Sequence, residues 1–258
     1  MKRPFIQLLT VLFCCAIVFT SCELNAANQN GDHAGDYEEM SMQEVAEEGT
    51  VTGKTLNLSP FTGIALTTSY NVHLKQGSTQ SVSIEASQKV IDNLSLKVKN
   101  GIWTIKSKKN KWSWKDQGKV DIYITIPKVT FLSVTGSGNI KGKNHLDVNN
   151  LKTVVTGSGN IHADISGDNV KSVISGSGNI NLSGTASALA QTITGSGDLK
   201  AKGLKVNNAE IKITGSGTCK IHVSSNLDVR ITGSGDVYYM GSPNVHSKVT
   251  GSGDVRSI

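Results

Sequence analysis

From residue 131 onward the chain alternates short runs, in which every second residue is apolar, with Gly, Asn or Asp punctuation. The stretch 198–217 (DLKAKGLKVNNAEIKITGSG) shows the pattern: Leu199 and Ala201, then Leu204 and Val206, then Ala209, Ile211 and Ile213. Period-two runs of this length predict strands, and no stretch of eight residues carries the 3.6 spacing of a helix. A tetrapeptide, Thr or Ser followed by Gly-Ser-Gly, recurs with its first glycine at Gly136, Gly157, Gly176, Gly195, Gly215, Gly233 and Gly251. A near-constant period of about 19 residues predicts a solenoid. Three short strands per period fold into a coil of roughly triangular section, and stacked coils then form parallel sheets around an apolar column. The fold class expected is therefore all-β, a parallel β-helix of ~19-residue coils over 131–258. The strong preference for right-handed parallel crossovers predicts the right-handed form.

The repeated corner has a physical basis. Two glycines around one Ser permit positive φ and let the backbone of one coil approach the next with no Cβ between them. The residues after the corner are Asn139, Asn160, Asn179, Asp198, Thr218, Asp236 and Asp254. In-register stacking places them ~4.8 Å apart in one column. The first three can form an amide ladder. Asp236 and Asp254 are brought together as like charges, either as a candidate calcium pair or as hydrated carboxylates at an exposed corner. The nine-residue Gly-Gly-x-Gly-x-Asp repeat of calcium-binding β-rolls is absent.

Residues 51–130 lack the tetrapeptide but keep short alternating runs, including Ile64–Leu66, Tyr70–Leu74, Ile102–Ile105 and Val120–Ile126. Asn100-Gly101, set between Leu96–Val98 and Ile102–Ile105, predicts a two-residue hairpin. This N-terminal β region with antiparallel hairpins is expected to cap one solenoid end and to continue into it, since FTGIALTTSYNVHL at 61–74 echoes the later coils. The C-terminal end is then bare, and a second copy of the chain is a candidate partner there.

Ahead of this body, Lys2 and Arg3 precede an uncharged apolar run, 4–19, that is short for a membrane span and ends in Thr-Ser-Cys. Residues 1–21 are expected to be a signal peptide. Phe-Thr-Ser-Cys at 19–22 resembles a lipobox, which makes Cys22 the lipidation site of a lipoprotein; a plain signal-peptidase site is the alternative. Several acyl chains on Cys22 anchor a protein to a membrane effectively permanently. Glu23, in place of the Asp that retains lipoproteins at the inner membrane in enterobacteria, favours the outer membrane, on its surface or periplasmic side. Residues 22–50 carry eight acidic side chains, no Lys or Arg, and little bulky apolar surface, the composition of a flexible tether. Of the 26 basic and 20 acidic residues in the chain, two basic ones fall in the leader and eight acidic ones in the tether, leaving 24 and 12 for 51–258. That basic body suits an anionic surface or glycan, or equally serves solubility and protects β edges with Lys. Nucleic acid is not expected as a partner, given the expected export and the lack of any nucleic-acid-binding motif.

Chemistry-bearing residues are sparse. The six His residues (33, 73, 145, 162, 222 and 246) show no metal-ligand spacing, and no cofactor motif is present. Cys219 and the repeated corner Ser lack the surroundings of a nucleophile. Polysaccharide-cleaving β-helices keep acidic clusters in a groove on one sheet. Asp121, Asp147, Asp164 and Asp168 are the candidates for such a cluster, but spacing alone does not gather them, and a non-enzyme is expected. The candidate binding surface is 103–119 (WTIKSKKNKWSWKDQGK), which holds Trp103, Trp112 and Trp114 among Lys108, Lys109 and Lys111. Aromatic faces flanked by cations suit sugars; the same residues equally suit a hydrophobic end-cap with a solvated Lys loop.

The lipobox-like start, the Phe61-x-x-Ile64 motif and the train of Thr-Gly-Ser-Gly-[Asn/Asp]-[Ile/Val/Leu] corners, clearest at 136–140, 157–161 and 176–180, resemble the head GIN domain family, over about 55–256. Its members are described as auto-transporter adhesins. The resemblance implies an exported β-helical protein and transfers no binding residues, because adhesion there is inferred from architecture. The leading expectation is a lipid-anchored, non-catalytic adhesion module, with glycan as a candidate ligand. A self-associating periplasmic lipoprotein is the alternative, and a polysaccharide-acting enzyme the third.

Overall fold

The computed structural model describes residues 51–108 and 118–258. Cys22, the leader, the tether, Lys109, Lys111, Trp112 and Trp114 lie outside the described residues.

Each Gly-Ser-Gly corner ends one coil and starts the next. β9 (Asn139–Gly157), β10 (Asn160–Gly176), β11 (Asn179–Gly195), β12 (Asp198–Gly215) and β13 (Thr218–Gly233) are each a whole coil, paired in parallel with their neighbours. The hydrogen-bonded ladder continues around the other bends, so the three short strands expected per coil form one ribbon that breaks at the Gly-Ser-Gly corner. There the first glycine has φ between 107° and 124°. The following Ser N–H donates to the carbonyl of the glycine one coil earlier, as in Ser158 to Gly136 and Ser177 to Gly157, both at 2.9 Å.

The uneven spacing of the corners has a local cause. Between β9 and β10 the register runs His162 to Lys141 and then Asp164 to His145, so two extra residues are taken up at one bend. The shifts between β11 and β12 and between β12 and β13 fall mainly at the same bend. The remaining columns stay in register. Ile140, Ile161, Ile180, Leu199, Cys219 and Val237 stack as one fully buried column, and Val155, Ile174, Ile193, Ile213 and Ile231 as another. Cys219 is thus a core residue whose thiol pKa is pushed far up by burial. The amide ladder runs through Asn71, Asn139, Asn160 and Asn179, each Nδ2 donating to the preceding Oδ1 at 2.9–3.0 Å.

Asn71 belongs to that ladder because the solenoid begins earlier than the tetrapeptide does. β2 (Gly63–Leu66) and β3 (Asn71–Gln76) form a coil that pairs in parallel with β8 (Phe131–Gly136) and β9 on one side. On its other side it pairs, also in parallel, with β6 (Ile102–Ile105) and β7 (Asp121–Ile126). The chain therefore lays its second coil outside its first, then crosses back over the first to continue the stack. β4 (Ser81–Ala86) closes the outer edge antiparallel to β7, and β1 (Thr52–Thr55) lies antiparallel on β4. α1 (Gln88–Asn93) buries Val90 and Ile91 against this end. The Asn100-Gly101 hairpin joins β5 (Val98–Lys99) to β6, with both turn residues at positive φ, 52° and 70°.

A polar clasp holds the outer coil to the first. His73 Nε2–H donates to Asp121 Oδ1 at 2.7 Å, Lys119 Nζ lies 3.0 Å from Asp121 Oδ2, and the His73 ring stacks on Tyr123. Burial alone would raise the Asp121 carboxyl, but the hydrogen bonds from His73 and Lys119 outweigh it and hold the group below its ordinary value. A carboxyl lowered in this way stabilises the fold above its unfolded pKa, and that contribution disappears as the pH falls through the lower folded value.

Candidate functional site

Of the candidate binding residues, Trp103 and Lys108 are among the described ones, and neither is a free surface group. Trp103 is fully buried: it lies in β6, its ring centroid is 5.8 Å from that of Phe61, and its Nε1–H donates to Ser95 O at 3.0 Å. Of the two readings of this segment, Trp103 thus fits the hydrophobic end-cap and not the ligand face. Period-two alternation on β6 points Ile102 and Thr104 outward and Trp103 into the end of the core. Lys108 is engaged as well, its Nζ donating to Asp92 O at the end of α1.

Asp236 and Asp254 do stack, yet their oxygens are taken by protein donors. Asp254 N–H donates to Asp236 Oδ1 at 3.0 Å, Val255 N–H to Asp254 Oδ1 at 2.7 Å, and the Arg256 guanidinium pairs with Asp254 Oδ2. The Arg256 hydrogen bond, with that from Val255, holds the Asp254 carboxyl below its ordinary value. The like charges are thus accommodated by N–H groups and a guanidinium.

A concave groove lies at a different bend. Three columns meet there, one residue apart along each coil. Asn150, Asn169, Ala188, Asn208 and Asn226 form one rim, and Leu151, Val170, Leu189 and Ala209 form the floor. Lys152, Lys171, Ala190, Glu210 and Asp228 form the other rim. The floor side chains turn inward and are buried, while the rims face out. On β11 both rim positions are alanine, so the walls drop away at Ala188 and Ala190 and leave a groove of about 660 Å³. Five coils at a spacing of ~4.8 Å give it a length of about 19 Å along the solenoid axis.

The second rim carries two positive and two negative side chains, and the acidic ones pair along their own coils, Asp228 with the Arg230 guanidinium at 3.8 Å. Glu210 is kept ionised by Lys212, whose Nζ lies 2.7 Å away. The asparagine rim is partly paired with itself: Asn169 Nδ2 donates to Asn150 Oδ1 at 3.1 Å, and Asn226 Nδ2 to Asn208 Oδ1 at 2.8 Å. Behind the groove the core turns polar, with Thr153, Ser172 and Gln191 stacked in register and buried; Thr153 Oγ1, Ser172 Oγ and Gln191 Oε1 have no hydrogen-bond partner among the described residues. Sequence reasoning missed this groove. Its signal is present as Asn followed by Leu, Val or Ala and then a charged residue at 150–152, 169–171, 208–210 and 226–228, interrupted by Ala188-Leu189-Ala190.

A family model described as "Putative auto-transporter adhesin, head GIN domain" matches residues 60–243. Three solved structures share the fold. A "putative adhesin" from Bacteroides fragilis is 23% identical with a TM-score of 0.74, covering 81% of this chain and 97% of that one. A "putative adhesin" from Parabacteroides merdae is 24% identical with a TM-score of 0.68, over 81% and 97%. A "Putative lipid binding protein" from Parabacteroides distasonis is 22% identical with a TM-score of 0.68, again over 81% and 97%. No curated protein matches the chain.

Proposed function

The chain belongs to the head GIN domain family, and on that premise we propose that it is a cell-envelope protein, lipid-anchored through Cys22 at the outer membrane, whose solenoid is a non-catalytic adhesion module for an extended glycan. The observation that carries this reading is the groove along Asn150–Asp228. The methyl groups of Ala188 and Ala190, which face into it, suit the C–H face of a sugar ring, and its amide rim supplies donors and acceptors for hydroxyl groups at the repeat of the coils. The groove follows the solenoid axis, so it fits a chain better than a compact ligand. The acidic stretch 23–50 separates the anchor from the body and lets the module stand off the membrane.

A second reading, a structural lipoprotein that self-associates, is favoured by the last coil. Among the described residues β15 (Asn244–Gly251) pairs with β13 alone, and Val245 and Val249, which continue the buried Leu227 and Ile231 columns, are 40% and 39% exposed.

Retention of glycan oligomers on the immobilised full-length protein separates the two. An oligomer is expected to be retained and recovered at its original length, and Ala190→Arg, which fills the groove, is expected to weaken retention at least tenfold. Oligomers recovered shortened would contradict the non-catalytic reading. No retention, with a light-scattering mass that rises with concentration, would favour self-association.

A further inference from the structure

The asparagine rim is a hydrogen-bonded ladder with one rung missing. Asn150 pairs with Asn169 and Asn208 with Asn226, while Ala188 stands in register between Asn169 and Asn208 with no amide to join the two halves. In both pairs the later coil donates Nδ2 and the earlier coil accepts at Oδ1. The gap therefore has Asn169 Oδ1, an acceptor, on one side and Asn208 Nδ2, a donor, on the other. Neither atom has another partner among the described residues. The two coils are two repeats apart, ~9.6 Å, a span that one planar amide and its two hydrogen bonds fill.

We propose that the gap at Ala188 is a specificity subsite for the acetamido group of an N-acetylhexosamine within the bound glycan. This deepens the glycan reading of the groove and rests on it. A secondary amide is planar and trans, so its N–H and C=O point in opposite directions. The N–H donates to Asn169 Oδ1 and the C=O accepts from Asn208 Nδ2, which restores the missing rung. The acetyl methyl lies against Ala188, and the sugar ring extends past Ala190 along the groove. A peptide fits less well, because its amides recur every ~3.4 Å and only one unfilled rung is available.

The test is calorimetric titration of the full-length protein and of Ala188→Asn with tetra-N-acetylchitotetraose, its de-N-acetylated counterpart, cellotetraose and acetyl-tetraalanine amide. The expected result is that only the N-acetylated oligomer binds, that Ala188→Asn fills the rung and weakens it at least tenfold without lowering the melting temperature, and that Ser187→Asn, just outside the column, leaves it unchanged. Unchanged affinity in Ala188→Asn would overturn the subsite. Equal binding of cellotetraose, still blocked by Ala190→Arg, would overturn the acetamido assignment and leave the glycan reading standing. Binding of the peptide alone, or of no oligomer, would overturn both.

Discussion

Gly178→Val is expected to destabilise the solenoid by about 3–5 kcal/mol, against less than ~0.5 kcal/mol for Ser177→Ala one residue away. A Cβ on Gly178 would fall against the Gly159 carbonyl oxygen, well inside contact distance, and 2.5 Å from Val155 Cγ1. The corner cannot retreat, because it is stacked on the preceding coil and carries the next: Asn179 N–H donates to Gly159 O at 3.1 Å, and a Cβ on Gly197 would in turn meet Gly178. Ser177, by contrast, points to solvent. At roughly 2–4 °C per kcal/mol for a body of this size, the valine variant melts about 10 °C lower. Urea unfolding of both variants checks it, and equal midpoints would mean that the corner glycines are not what close packing of the coils requires. Since each coil touches only its neighbours, the damage should spread outward from the β10–β11 junction.

The second large effect is at the other end. Trp103→Ala is expected to cost about 3–5 kcal/mol, through the cavity left in a fully buried site and through Ser95 O losing its donor. It should leave glycan binding unchanged when measured below the melting transition, because the groove starts at Thr130 and β9, beyond the β2–β3 coil that separates them. A melting temperature like that of the native chain, together with lost binding, would restore Trp103 to a ligand face. Proximity in sequence groups Trp103 with Trp112 and Trp114 and leaves the ligand-face and end-cap readings open; for Trp103 the alternation of β6, which buries every second side chain, decides for the end-cap.

The two cases mark where the sequence is legible. The coil, its period and the first amide ladder follow from a backbone that repeats in register, so a periodic string of residues maps directly onto columns in space. The Asn100-Gly101 turn is equally local, because positive φ at both positions is written in the residue types. The crossing of the chain over its first coil is not local: Asn71 meets Asn139 across 68 residues, and nothing near either position specifies that partner. The groove was hidden for a further reason. It arises from an absence, two alanines where neighbouring coils carry Asn, Lys or Glu, whereas attention to tryptophan and clustered lysine looks for what is present. The stacked carboxylates Asp236 and Asp254 were placed correctly by register, but the backbone N–H groups and Arg256 that accommodate them follow from the turn geometry rather than the spacing.

The most direct measurement is a crystal structure of the protein with tetra-N-acetylchitotetraose. Density for the oligomer running along the solenoid axis over Leu189, with an acetamido group between Asn169 and Asn208, is the predicted result. An empty groove with the sugar bound elsewhere on the chain would contradict it.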